Sequence, residues 1–162
     1  MSSPAPESGR GGYEISTDPA RLDREAIHAF LTTAYWSEGI AREVVDRGIE
    51  GSIPFGLYAP GGEQAGFARA VTDGATFAWI ADVFVLEAHR GRGLGVWLVE
   101  TVLAHPEVNE VRRVMLGTAD AHGLYERFGF AVPKWANAYM DIVRPDIYLQ
   151  AGADSGPALA PE

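Results

Sequence analysis

Arg90-Gly91-Arg92-Gly93-Leu94-Gly95 packs two arginines and three glycines into six residues. The apolar run Val83-Phe84-Val85-Leu86 stops just before it, and a helical pattern begins at once. Glycine lets a backbone approach a ligand closely, and a fresh helix offers unpaired N–H groups with positive dipole density. The chemistry such a loop can do is to hold phosphate. Two common phosphate motifs fail here. The dinucleotide fingerprint needs a sixth-position glycine where Val96 stands, and no Gly-Lys-Ser/Thr supplies a P-loop.

The surrounding elements must deliver that loop to the end of a strand. Tyr13 to Thr17 predicts a first strand, and Asp18-Pro19 predicts a helix N-terminus with proline at its first position. Leu22, Ala26 and Phe30 carry helical spacing to about Ala34. A second helix is expected from Ile40 to Ile49, with Ser37 as its cap. Strands are expected around Ile53, Phe55 and Leu57, and over residues 64–72, with Asp73-Gly74 as a hairpin turn. Ala75 to Leu86 reads as a strand buried on both faces. Leu94, Leu98 and Val102 mark a helix that Pro106 ends. Val111 to Gly117 is then a strand, Asp120 to Phe128 a short helix closed by Gly129, and Phe130–Val132 and Asn137–Val143 closing strands. Phe77 to Leu116 is a βαβ crossover, which makes its strands parallel and puts a ligand at the strand's C-terminal end.

Composition bounds the function. The 162 residues are 47% hydrophobic, enough for one domain with a proper core. A formal charge of −9 argues against general binding of nucleic acid or anionic membranes. The chain has no cysteine, which excludes disulfides, thiolate metal sites and cysteine nucleophiles, and His28, His89, His105 and His122 show no metal spacing. The N-terminal residues lack a signal-peptide core, and Phe77 to Leu86 is too short to cross a bilayer, so a cytoplasmic protein is expected. Residues 1–12 and 149–162 read as disordered tails around a single domain over 13–148.

The glycine loop matches Arg/Gln-x-x-Gly-x-Gly/Ala and, with Asp82 to Val85 before it, resembles the coenzyme-A loop of the GNAT superfamily of acetyl-CoA-dependent N-acetyltransferases. A second block, Thr118 to Phe130, is similar to that family's helix ending in Leu-Tyr-Glu-x-x-Gly-Phe. The resemblance covers roughly residues 13–148. It implies an α/β (α+β) fold, a mixed central sheet of about seven strands flanked by about four helices. It further implies acetyl-CoA as co-substrate, no metal, and direct transfer to an amine acceptor in a ternary complex. A homodimer is compatible with it.

The resemblance assigns roles to particular residues. Gly91, Gly93, Leu94 and Gly95, with Arg90 and Arg92, would surround the pyrophosphate. Val83, Phe84 and Val85 would turn main-chain groups toward the pantetheine arm, and one of their N–H groups could stabilise an oxyanion. Thr118 stands where many relatives carry an asparagine toward the same arm, so that contact differs in kind. Tyr125 matches the general acid. A phenol near pKa ~10 can protonate a thiolate whose acid lies near ~8.5. Asp82, a carboxylate inside an apolar strand, is a candidate base for the ammonium acceptor. It could instead pair with an arginine such as Arg69. Glu87 and a water chain are the other routes for that proton. Tyr35, Trp36 and Glu38 fall where the acceptor loop lies and suit a cationic amine. The contrasting reading is a non-catalytic acyl-CoA sensor of the same fold, which would keep the loop but need neither Tyr125 nor Asp82.

Overall fold

A computed structural model describes residues 7–149, and within them six strands lie side by side in chain order. These are β1 (Glu7–Arg10), β2 (Tyr13–Ser16), β3 (Ile53–Tyr58), β4 (Gln64–Thr72), β5 (Phe77–Val85) and β6 (Arg113–Met115). Neighbours run antiparallel until the last pair, where β5 and β6 are parallel as the crossover requires. Five α-helices accompany the sheet: α1 (Arg24–Leu31), α2 (Arg42–Glu50), α3 (Leu94–Ala104), α4 (Pro106–Asn109) and α5 (His122–Glu126).

Each face of the sheet holds its own core. On one face α3 buries Leu94, Trp97, Leu98 and Val102 against Ile15, Phe55, Leu57, Ala68, Ala78 and Ile80. On the other, Ile27 and Leu31 of α1 and Val45 and Ile49 of α2 cover Phe67 and Phe84. Each fully buried aliphatic side chain contributes about 1.5–3 kcal/mol of apolar transfer. Local chemistry sets the ends of these elements. Asp23 caps α1 by accepting from the Ala26 N–H at 3.0 Å. At the β4–β5 turn the Thr76 hydroxyl and the amides of Thr76, Ala75 and Phe77 donate to Asp73, holding its carboxyl well below the usual range.

One irregularity in β5 matters for everything downstream. Arg69 pairs with Ala81 but Phe67 pairs with Phe84, so β5 carries one extra residue across the bulge. Asp82 sits in that bulge with φ +55°, and it is the one described residue other than glycine at positive φ. The extra residue reverses the alternation. Ile80 faces the α3 core, whereas Phe84 faces α1 and α2.

Several expectations need correction. The sheet has six strands among the described residues rather than about seven, because Phe130–Val132 and Asn137–Val143 do not join it. Pro133 removes a ladder donor and a 3-10 turn at Ala136–Ala138 folds the chain away from extension. The sequence reading carries the first tail too far, since Glu7–Arg10, inside residues 1–12, pairs with β2 as a strand. Residues 1–6 and 150–162 lie outside the described residues.

The helices differ in detail too. Ser37 does not cap α2. Its hydroxyl donates to the Leu31 carbonyl at 2.6 Å, and Ala41 takes the cap position. Pro106 stops α3 and then opens α4, where its missing N–H is harmless at the first helical position. β5 is not buried on both faces. Phe77 and Trp79 are each 38% exposed, because α1 and α2 cover the sheet only beyond the bulge.

Candidate active site

The β5–β6 ladder ends where Trp79 meets Met115. Beyond that pair β5 continues to Val85, whereas the chain after β6 turns into the loop that leads to α5. The strands therefore part, and a cleft of about 580 Å³ opens between them. Tyr35, Trp36, Trp79, Asp82, Val83, Thr118 and Tyr125 all line it.

At the far end of β5 lies the glycine loop. Gly91 and Gly93 hold φ of +78° and +74°, a region nearly closed to other residues. Gly93 is the N-cap of α3 and offers no side chain, so the helix's first amides face outward unblocked. Nothing lies within 4 Å of where a Cβ on Gly91 would sit. Arg90 donates from Nε to the Val85 carbonyl at 2.9 Å, which ties the loop to the end of the strand. His89 Nδ1 lies 2.8 Å from the Tyr13 hydroxyl and fixes the other side of the loop to β2. Gly95 would accept a Cβ in ordinary contact with Val85, so its smallness is not forced by packing. The cradle is open, donor-rich and flanked by Arg90 and Arg92, which fits an anionic phosphate tail.

Both carboxylate oxygens of Asp82 hold a partner. Its Oδ2 accepts from Arg69 Nε at 2.6 Å, and its Oδ1 from Trp36 Nε1 at 2.9 Å. Arg69 also donates to Ser52 Oγ at 3.0 Å. Of the alternatives left open for Asp82, the ion pair with Arg69 is thus formed. A carboxylate has about four lone-pair sites, so these two bonds leave acceptor capacity facing the cleft.

Tyr125 is buried, with its ring edge-on to Phe130 at 5.9 Å. Burial first, then Tyr35 and Asp120 nearby, push its phenol above the ordinary tyrosine value. The group therefore keeps its proton through neutral pH. Tyr35 accepts from the Ala119 N–H at 3.1 Å, joining the segment after α1 to the turn before α5. Trp36 packs on Phe30, which in turn stacks on Phe84 at 3.9 Å. Thr118 Oγ1 accepts from the Ala121 N–H at 3.0 Å, so its oxygen helps start α5 while its O–H proton is left to donate.

Of the residues singled out from sequence, Tyr35, Trp36, Asp82, Val83, Thr118 and Tyr125 line the cleft, while Val85 and Arg90 to Gly95 lie outside its lining, at the far end of β5. Phe84 does not line it either, since its side chain is core and only its backbone follows the strand edge. Nor does Glu38, which is exposed. Trp79 and Tyr148 line it as well, and Trp79 went unnoticed inside the apolar run. The alternation of Phe77 and Trp79 with alanine and isoleucine was the signal for a second, open face. A further cleft of about 880 Å³ lies beyond β6, sharing Thr118 and Tyr125 and reaching Phe130, Trp135 and Tyr139.

A mixed sheet thus splits beside a glycine-rich loop, with a buried tyrosine at the fork. The chain belongs to the acetyltransferase (GNAT) family, whose model matches residues 23–130. A Gibberella zeae protein named "Putative acetyltransferase" is 34% identical over 139 residues, covering 72% of this chain and 77% of that one. A crystal structure of a GNAT-family protein from Xanthomonas campestris pv. campestris is 42% identical with a TM-score of 0.82, covering 86% of this chain and 99% of that one. Glucosamine-6-phosphate N-acetyltransferase from Arabidopsis thaliana shares the fold alone, at 18% identity and a TM-score of 0.58 over 82% of this chain and 98% of that one. Among the described residues no helix is long and apolar enough to cross a membrane.

Proposed function

We propose that the protein is a cytoplasmic N-acetyltransferase that passes the acetyl group of acetyl-CoA directly to an amine within a ternary complex. The observation that carries this reading is that Asp82 and Tyr125 line one cleft, which opens beside the strand leading to the glycine loop. Gly91 to Gly95, with Arg90 and Arg92, would hold the pyrophosphate. The edge of β5 from Ile80 to Val85, which β6 does not pair, would accept the pantetheine arm, with Thr118 O–H as a further donor. Acetyl-CoA supplies an electrophilic thioester carbonyl and a thiolate leaving group.

Tyr35, Trp36 and Trp79 offer aromatic faces to a cationic acceptor as it enters. Asp82 takes the ammonium proton, directly or through water, on the lone pairs that Arg69 and Trp36 leave open. Tyr125 gives its proton to the departing thiolate, a task suited to a phenol kept neutral by burial. The proposal includes a homodimer, to which the exposed apolar side chains Trp135, Met140, Ile142 and Val143 are suited.

The test is a thiol-release screen of the purified protein with acetyl-CoA against small amines, polyamines, amino acids and lysine peptides. Turnover with at least one acceptor is expected. Tight acetyl-CoA binding without turnover on any of them would favour the sensor reading. No binding of either CoA or acetyl-CoA by calorimetry would remove both.

A further inference from the structure

Arg10 sits in a stretch rich in glycine and serine, ahead of residues 23–130 that match the family. The β1–β2 hairpin nevertheless carries it to the start of α3. Its guanidinium lies 5.9 Å from the Trp97 ring centroid, and Nη2 is 3.4 Å from Glu100 Oε2. Nη1 is 3.8 Å from the position a Cβ would take on Gly93, the N-cap of the glycine loop. The side chain is about half exposed, and so is that of Glu100. A long, half-exposed ion pair of this kind contributes little to stability. Guanidinium N–H groups beyond the one facing Glu100 remain to be used, since the fork carries about five donors.

We infer that Arg10 is a coenzyme-binding residue, a third arginine at the phosphate cradle supplied by the N-terminal hairpin. The inference rests on the coenzyme reading of the glycine loop. Arg90 already spends one donor on the Val85 carbonyl, which limits what it can turn toward a ligand. Arg10 comes to Gly93 from β1, an element separate from the loop that carries Arg90, so it would add a further cation beside an anion held by the amides of α3. Two phosphate groups of the coenzyme could be its target, the pyrophosphate or the 3′-phosphate, and the chemistry recognised is the same.

Calorimetric titration with CoA and with 3′-dephospho-CoA tests this. Arg10→Ala should weaken CoA binding about three- to tenfold, the range of one charge-assisted contact at an exposed site. Arg10→Lys should recover part of the loss. Loss for CoA alone assigns the 3′-phosphate, and equal loss for both ligands assigns the pyrophosphate. Glu100→Gln, which frees the guanidinium, should bind CoA as well as wild type or better.

Unchanged affinity in Arg10→Ala for both ligands overturns the inference. So does an equal loss in Glu100→Gln, which would mean that the pair merely fastens the hairpin. If wild type binds neither ligand, the glycine-loop reading itself falls, a result distinct from a wild type that binds and an Arg10→Ala that binds equally well.

Discussion

Replacing Asp82 by asparagine, glycine and alanine separates three effects that meet at one residue. Asparagine has one oxygen for two donors: if it accepts from Trp36, its NH2 faces the Arg69 guanidinium and the 2.6 Å charge-assisted bond is lost. Hydrogen bonds to charged groups are worth about 1.5–3 kcal/mol, so Asp82→Asn should lose about 2 kcal/mol. Alanine removes both bonds and leaves Arg69 facing the cleft alone. Breaking a buried pair costs about 3–5 kcal/mol, and the partial exposure of both partners points to the low end, about 3. Glycine loses the same bonds but relaxes the positive φ, which costs an L-residue about 1–2 kcal/mol. The expected order of stability is therefore wild type, then Asn and Gly close together, then Ala. At about 2–4 °C per kcal/mol for a chain of this size, Asp82→Ala should melt roughly 6–12 °C below wild type. Urea unfolding with an unchanged m-value reads the same order as free energies. If glycine is no more stable than alanine, the positive φ carries no strain. If asparagine equals wild type, the ion pair contributes nothing and the account of this site is wrong.

Two further outcomes follow from the tyrosines. Tyr125→Phe should retain the thermal shift given by acetyl-CoA while turnover falls by about 10²–10³, and wild-type turnover should show no alkaline decline assignable to this group below about pH 10. Unchanged turnover in the phenylalanine variant would remove the general-acid role. The Tyr58 phenol is pushed up to about 12 by burial, so the native state keeps a proton that the unfolded chain releases near pH ~10. Stability should then fall as pH rises from about 10 to 12. Tyr58→Phe should flatten that fall and raise the melting temperature by a few degrees, because the hydroxyl is buried without a partner among the described residues. Melts of both proteins across that pH range check it.

What could be read from sequence was whatever depends on neighbours along the chain. Gly91, Gly93 and Gly129 announce positive φ by themselves, and all three adopt it. Asp73-Gly74 makes its turn, and α3 runs from Leu94 as its apolar spacing requires. Asp82, Thr118 and Tyr125, which belong to or adjoin the two signature blocks, line one cleft. The misses all depend on contacts distant in sequence. Arg10 looked like part of a tail because its partners, Trp97 and Glu100, lie some ninety residues on. Trp79 looked like core because periodicity cannot say which face a helix will cover. Glu38 fell in the expected segment, yet Ser37 turns inward to Leu31 and leaves its neighbour outside.

The supernumerary residue in β5 is not what keeps the two cores apart. Excising position 82 would leave Phe84 three residues from Ile80, still on the opposite side and still paired with Phe67, with a regular ladder in place of the kink. What such a shortened strand would lack is the carboxylate that meets Arg69 and Trp36. The extra residue therefore serves the cleft rather than the packing, and a chain without it would be expected to fold but to present a different site.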